Sequence, residues 1–550
     1  MNWKKPALFS LATVVLLAGV TACSNNKNDA KPEENADSSQ GSPSSSQQVS
    51  EVKLLGPSNG NKYIKFEERD KYPVWKELDK LFSGAGLQLD YEFVPREQYD
   101  TVIKTRMAAG SSLPDIVNIS ALDNTTVLNL AKQGVLLDLN PLIEKYSNGN
   151  IQEMYSKEFA FAKQATTTSD GKMYWFSNLH KKTYQEKDPA PVALTMMLRK
   201  DWLDKLSLPA PTTAEEYFQT LKKMKDSDVN GNGQKDEVLV YNPANFASPI
   251  AQWFGLGTDI TAVDVENQKI VSPWYQEGIK DYFRYLQRLA KEGLLDTSLI
   301  GAKDEQIQQK MTENKVASVK SYNMESWLEP TINGGGEYQP LMPLKAVDNI
   351  TPAAQLEPPF LVWSKYAITK DAKNVEAAIK FFDVVYSRQY ADLMLWGIEG
   401  QTYKTEANGV KVNMLSGITD EELAKTGKVS GGKLAGDTVF PRVQFANLET
   451  ELASAPKYKA DHELNMLTYK PYFVNMNDVY LAIPDEKELE TKTKILTNLN
   501  TYSAELATKL ALGQKSLDNW DQYISELKKL GLDQLIEIDQ QLLDRYNSIK

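Results

Sequence analysis

Residues 73–93, PVWKELDKLFSGAGLQLDYEF, contain the change of period that decides the fold. Val74, Leu78 and Phe82 recur at helical spacing, and Gly84 and Gly86 end that run. Leu87, Leu89, Tyr91 and Phe93 then alternate with polar residues, the period-two pattern of a strand. Upstream, Val52–Leu55 is a short apolar strand. Downstream, Tyr99, Val102, Ile103 and Met107 return to helical spacing across 98–109, Gly110 stops them, and Pro114–Val117 starts a further strand. Strand, helix, strand, helix, strand within about seventy residues predicts a parallel sheet built from βαβ units. Ligands of such sheets sit at the carboxyl ends of the strands.

The alternation continues. Ala193–Arg199 is strand-like, Asp201–Leu206 is a short helix, and Pro209-Ala210-Pro211 breaks it. Thr213 and Glu216 form a capping box for a helix whose buried face is Phe218, Leu221 and Met224. Val316–Val319 and Leu361–Ile368 read as strands, Val375–Tyr386 as a helix, and 486–546 as mainly helical, with Leu499, Leu506, Leu510 and Leu527 among its core residues. The fold class is α/β, and 550 residues suffice for two or more lobes.

Composition narrows the functions. The 62 basic residues against 73 acidic ones argue against nucleic acid, which wants a basic face. His180 and His462 are the only histidines, which argues against histidine-rich metal catalysis and leaves a Ser-His-Asp triad two places for its base. The 10 Trp and 26 Tyr are mostly core by type, but they also supply the flat faces on which sugar rings stack.

Lys4 and Lys5 precede an apolar run, Ala7–Val20, of export-signal length and too short for a lasting membrane span. It ends at Val20-Thr21-Ala22-Cys23, which resembles a lipobox. Cys23 is the only cysteine, so no intramolecular disulfide exists and lipid attachment is its expected role. Residues 24–50 carry almost no apolar side chains and read as a disordered tether. The expected location is therefore the extracytoplasmic side of a cell membrane, lipid-anchored, with residues 1–22 removed as signal peptide.

Asp226–Glu237, DSDVNGNGQKDE, is dense in oxygen donors at alternate positions. It fits the twelve-residue calcium loop pattern that starts at Asp226 and ends at Glu237. A second register also works, with Asp228, Asn230, Asn232, the Gln234 carbonyl, Asp236 and Glu237 as ligands and Gly233 at the turn. A helix precedes the loop and strand-like Val238–Val240 follows, unlike the helix pair of a calcium sensor. The ion is thus expected to be a structural Ca²⁺.

Leu198–Glu237 resembles the corresponding region of family 1 extracellular solute-binding proteins, the binding subunits of ABC transporters. Within them it is similar to the large calcium-containing subgroup of LipO/YtcQ-type lipoproteins and alginate-oligosaccharide binders. Leu113–Val117 resembles the family's "PDI" strand and Asp170–Tyr174 its "DGK-x-Y" segment, although Trp175-Phe176-Ser177 departs from the usual continuation. Trp396–Gly400 resembles its "GIEG" stretch and Asp518–Ile536 its closing helices. The resemblance covers nearly all of 51–550. It implies a two-lobed type II periplasmic-binding-protein fold with a hinge and an interlobe cleft, and the second calcium register. The lobes implied are 51–191 plus 323–363, and 193–321 plus 367–550 with the calcium loop, joined near Val192–Leu194, Ser321–Met324 and Ser364–Ala367.

On that footing the ligand contacts expected are Trp396, Glu399, Tyr403, Trp327, Trp253, Trp274, Trp175 and Asn178, with Trp202 and Trp363 assigned to the core. Arg199 is either a fork for a uronate carboxylate or an internal salt bridge. Asp115 is either a cleft hydrogen-bonding group or an ordinary cap. The function implied is capture of an oligosaccharide, by a monomer without catalysis, and delivery to ABC permease subunits. Peptide binding, presentation to a sensor, and surface glycoside hydrolysis or lysis by paired carboxylates are the alternatives. Neutral and uronate-bearing sugars both remain open.

Overall fold

A computed structural model describes residues 49–548 apart from 59–62, 185–187, 190–194, 247, 303, 322–327, 329–330, 333, 356–359, 408, 416–417, 436–439, 448–472 and 475–480. The signal peptide, Cys23 and nearly all of the tether, Trp327, and the crossover expected at Val192–Leu194 lie outside the described residues. No described helix is long and apolar enough to cross a membrane.

Two sheets organise the described chain. The first uses β1 (Ser50–Ser58), β2 (Leu87–Pro95), β3 (Ile116–Asn118) and β4 (Phe176–Tyr184). The second uses β5 (Thr195–Arg199), β6 (Val238–Val240), β7 (Val316–Ser321) and β8 (Tyr338–Pro340). The chain then returns to the first with β9 (Phe360–Ile368) and β10 (Val443–Asn447). The first sheet runs β10-β4-β9-β3-β1-β2, with Asp188–Pro189 also paired to β4. The second runs β8-β5-β7-β6.

The opening βαβ reading holds. β2 and β3 both pair with β1 in parallel. The helices between them are α1 (Pro73–Gly84) and α2 (Arg96–Ala109), and Gly110 closes α2 in the left-handed region at φ 62°. Beyond β3 the sheet becomes mixed, because β9 runs antiparallel to both β3 and β4. The pleat sends Val52 and Leu54 into a core with Trp75, Phe82 and Phe382. Leu55 faces the other way, into a core with Ile103, Val117 and Trp175.

In the second unit, Met196 and Leu198 pack with Trp202, Phe218 and Leu221. Phe218 and Leu221 lie on α4 (Ala214–Asp226), whose cap Thr213 accepts from Glu216 N. The Glu216 carboxylate reaches one residue further back than a capping box requires, to Thr212 N at 2.8 Å. The C-terminal helices α6 (Glu486–Ala511), α7 (Trp520–Lys529) and α8 (Leu532–Ser548) complete this core through Leu499, Leu506, Leu527 and Leu535.

The expected lobe boundaries need correction at two segments. Within 323–363, Tyr338–Pro340 pairs with β5 and Leu341 and Leu344 enter the second core, so that stretch belongs to the second unit. Within 367–550, α5 (Val375–Val385), Tyr390, Met394 and Val443 pack in the first core, and 486–548 return to the second. The crossover expected at Ser364–Ala367 is the interior of β9, and Ser321 is the last residue of β7. Apolar alternation announces a strand without naming its sheet; partner choice is a tertiary matter.

Candidate functional site

A cavity of about 490 Å³ lies where the two cores meet. The first unit contributes Asp123, Asn124, Thr125, Trp175, Ser364 and Lys365; α6 contributes Leu489, Lys492, Thr493 and Leu496. Ile483 packs in the first unit's core and Leu481 against the second's, so 481–484 threads the junction and forms the cavity floor. A smaller cavity of about 190 Å³ shares Leu481, Lys492 and Leu496 and extends to Asp259, Asn500 and Asp539. Thr125 Oγ1 and Thr493 Oγ1 stand 3.5 Å apart across the junction, and Lys132 pairs with Glu486 beside them.

A β-bulge aims the first unit's polar groups at this space. The register of β9 against β4 shifts between Trp363 and Tyr366, and Ser364 sits at φ 62°. A left-handed non-glycine residue costs about 1–2 kcal/mol, and such strain concentrates at functional sites. Two backbone bonds hold the bulge: Lys365 N donates to Ser120 Oγ at 2.9 Å, and Ile119 N donates to the Lys365 carbonyl at 2.8 Å. The Lys365 ammonium donates to Asn124 Oδ1 and lies 5.4 Å from the centre of the Trp175 ring. Burial holds it below the usual lysine pKa, against the opposing pull of the Asp123 carboxylate. Asp123 is occupied as the cap of α3 (Asn124–Lys132), accepting from Thr126 N and Thr126 Oγ1, each at 2.9 Å. On the far wall Lys492 is neutralised by Asp539, which also accepts from Thr261 Oγ1 at 2.8 Å.

The sequence-predicted residues scatter around this geometry. Trp175 lines the cavity but is only 4% exposed, so it supports Lys365 rather than offering an open stacking face. Asn178 lies behind the bulge, accepting from Arg442 N at 2.8 Å and donating to Ser364 Oγ at 3.4 Å. Trp253 and Trp274 are each 1% exposed in the second core, with Trp274 Nε1 donating to Ser503 Oγ at 2.9 Å. They are packing residues, a correction to their expected place in the cleft; glycine- and proline-flanked context does not reveal depth.

Arg199 takes its internal reading. Its guanidinium forks onto Asp201 at 2.8 and 2.6 Å, donates to Asn314 Oδ1 at 2.5 Å and stacks 4.0 Å from Trp202. Asp115 likewise acts as a clasp, accepting from Lys53 N at 2.7 Å and Lys373 N at 2.6 Å. Trp396 and Tyr403 stand 6.1 Å apart beside Glu399, and Trp396 lines a separate cavity of about 220 Å³ with Thr402, Asp420 and Lys433. None of these three is among the described residues that line the cavity at the junction. The sequence reading places Ser364 and Lys365 at a crossover and not among the ligand contacts, although a Ser-Lys pair interrupting the apolar run LVWSKYAI was the available signal.

The loop after α4 gathers the second-register residues. Asp228 lies at φ 46°, and its carboxylate accepts from Asn232 N at 3.1 Å and Gly233 N at 2.9 Å. Asn230 and Asn232 amides donate to Asp236 at 3.2 and 3.0 Å, and Asn230 N donates to Glu237 Oε1 at 3.0 Å. Gln234 N closes onto Asn232 Oδ1 at 2.8 Å. Asp226, the first ligand of the other register, pairs with Lys222 on its own helix at 3.3 Å. No group of three His, Cys, Asp or Glu among the described residues converges closely enough to hold a metal alone. The loop's remaining oxygens at these positions are the amides of Asn230 and Asn232 and the backbone carbonyls. Glu237 is 1% exposed, its Oε2 has no hydrogen-bond partner, and burial raises its pKa. A carboxylate buried in this way is costly unless it is paired.

The chain is similar along most of its length to proteins of known role. The fructooligosaccharide ABC transporter substrate-binding protein FusA of Streptococcus pneumoniae is 24% identical over 495 residues, 86% of this chain and 87% of that one. The polygalacturonan/rhamnogalacturonan-binding protein YtcQ of Bacillus subtilis is 25% identical over 346 residues, 60% of this chain and 63% of that one. FusA in complex with kestose superposes with TM-score 0.70 at 20% identity, over 91% of this chain and all of that one; a FusA structure described as an EF-hand mutant also gives 0.70. The alginate-binding protein AlgQ2 without calcium ion gives 0.65 at 21% identity, over 91% and 99%. These superpositions establish the two-lobed fold. The sequence model for bacterial extracellular solute-binding proteins matches residues 67–392, more than half of the chain, and the protein belongs to that family.

Proposed function

We propose that the protein captures an oligosaccharide in the cavity between its two sheet units and delivers it, without cleaving it, to the permease subunits of an ABC importer. The observation that carries this reading is the cavity itself. It sets Asn, Thr and Lys side chains among apolar ones, lies between two separately cored units, and is walled by a strained bulge in a chain similar over most of its length to sugar-binding subunits. Closure of the units around the sugar would bury its hydroxyls against the Asn, Thr and Lys side chains of the wall. In this reading the chain works as a monomer, held to the membrane by lipid on Cys23 with 24–50 as tether.

The reading includes a structural calcium ion held by Asp228, Asn230, Asn232, the Gln234 carbonyl, Asp236 and Glu237. Support comes from the buried, partnerless Glu237 Oε2 and the donor set around it. Bound there, the ion would tie α4 to β6 and stabilise the second unit.

A thermal-shift panel of neutral and acidic oligosaccharides, run with calcium, tests the function. A ligand at one hundred times its dissociation constant stabilises by about 2.7 kcal/mol, a shift of a few degrees or less in a body this size. The expected result is a shift with one sugar class and no new products. Cleavage products would overturn the binding-only reading, and no shift with any sugar would replace the sugar by a peptide or other solute.

A further inference from the structure

Among the described residues Lys365 has no carboxylate partner, and its ammonium meets the Asn124 amide oxygen and the Trp175 ring. The other cation of the cavity, Lys492, is neutralised by Asp539. Asp123, the nearest acid on the Lys365 side, has both oxygens engaged by Thr126. A half-buried ammonium without a counter-ion is costly unless something supplies the charge. The bulge makes its position deliberate: Ser364 is held left-handed, and Lys365 is pinned through both its N–H and its carbonyl to 119–120. The fixed cation therefore lines a cavity large enough for sugar rings, with no described carboxylate paired to it.

We propose that Lys365 binds the carboxylate of a uronate residue, so that the ligand is an acidic oligosaccharide. This inference rests on the sugar-binding reading above and narrows it. Trp175 and Asn124 hold the ammonium in place, so little side-chain freedom is lost when the carboxylate arrives. A neutral sugar would leave the charge uncompensated and would bind more weakly than its uronate counterpart of the same linkage.

The test is calorimetric titration of the full chain in detergent with di-, tri- and tetrasaccharides of galacturonate, mannuronate, guluronate and glucuronate, each beside its carboxyl-reduced, neutral counterpart. The expected result is that one uronate series binds at least tenfold tighter than its neutral counterparts and weakens as salt rises. Lys365→Met should remove that preference while leaving the melting temperature unchanged or higher, and Lys365→Arg should restore part of it. Tight binding of neutral sugars alone, or an unchanged uronate preference in a folded Lys365→Met variant, overturns the proposal and leaves the sugar-binding reading standing. Absence of binding by every sugar, neutral and acidic, overturns both.

Discussion

The loop at 226–237 and the cavity around Lys365 both gather polar groups, yet they are written into the chain in opposite ways. The loop's six proposed ligands fall within ten consecutive residues, and the hydrogen bonds that shape it join partners two to seven positions apart, with Asn230 alone of the six donating further, to the Asn314 carbonyl. The cavity joins Asn124, Trp175, Lys365 and Thr493, and the bond that pins Lys365 spans 245 positions. A site made by one turn of chain can be read before the fold is known. A site made by the meeting of two cores cannot, because its residues share a location only after both sheets have formed.

That contrast can be broken, and the largest effect lies in the aromatics expected to line the cleft. Trp274→Ala should destabilise the protein by about 3–5 kcal/mol, as loss of a large buried side chain does, while any folded fraction keeps its sugar affinity. Urea unfolding and titration on the same sample separate the two. Lost affinity with intact stability would return Trp274 to the cleft. Calcium removal comes next. Chelation should cost about 2–3 kcal/mol at calcium well above its dissociation constant, and Asp228→Ala should abolish that sensitivity. A variant still destabilised by chelator would place the ion elsewhere.

The fold was legible wherever period and punctuation agreed. The change of spacing at Gly84–Leu87 and the stop at Gly110 predicted β1-α1-β2-α2-β3 with boundaries close to those observed. What failed was allegiance. Tyr338–Pro340 and Phe360–Ile368 lie close in sequence but join different sheets, since pairing is decided by neighbours distant in sequence. Within the candidate site, Trp175 was found because it follows a recognisable segment. Lys365 was missed because a lysine in a strand reads as a solvated residue until a bulge turns it inward.

Smaller effects sharpen the same contrast. Ser364→Gly should relieve the left-handed strain and stabilise by roughly 1 kcal/mol while loosening the bulge and weakening sugar binding; thermal melts and titration should move in opposite directions. If they move together, the bulge is structural and serves no ligand. Smallest of all, Trp396→Ala should leave sugar affinity within about twofold, a difference under 0.5 kcal/mol, because Trp396 lines a different cavity. A tenfold loss would move the site to the first unit.

The location of the site is tested most directly by hydrogen–deuterium exchange of the full chain with and without the tightest-binding oligosaccharide of the panel. The account predicts ligand-dependent protection at 118–126, 173–178, 364–366 and 481–496, the segments that wall the junction between the two cores. Protection confined to 395–433, with the junction unchanged, would contradict it.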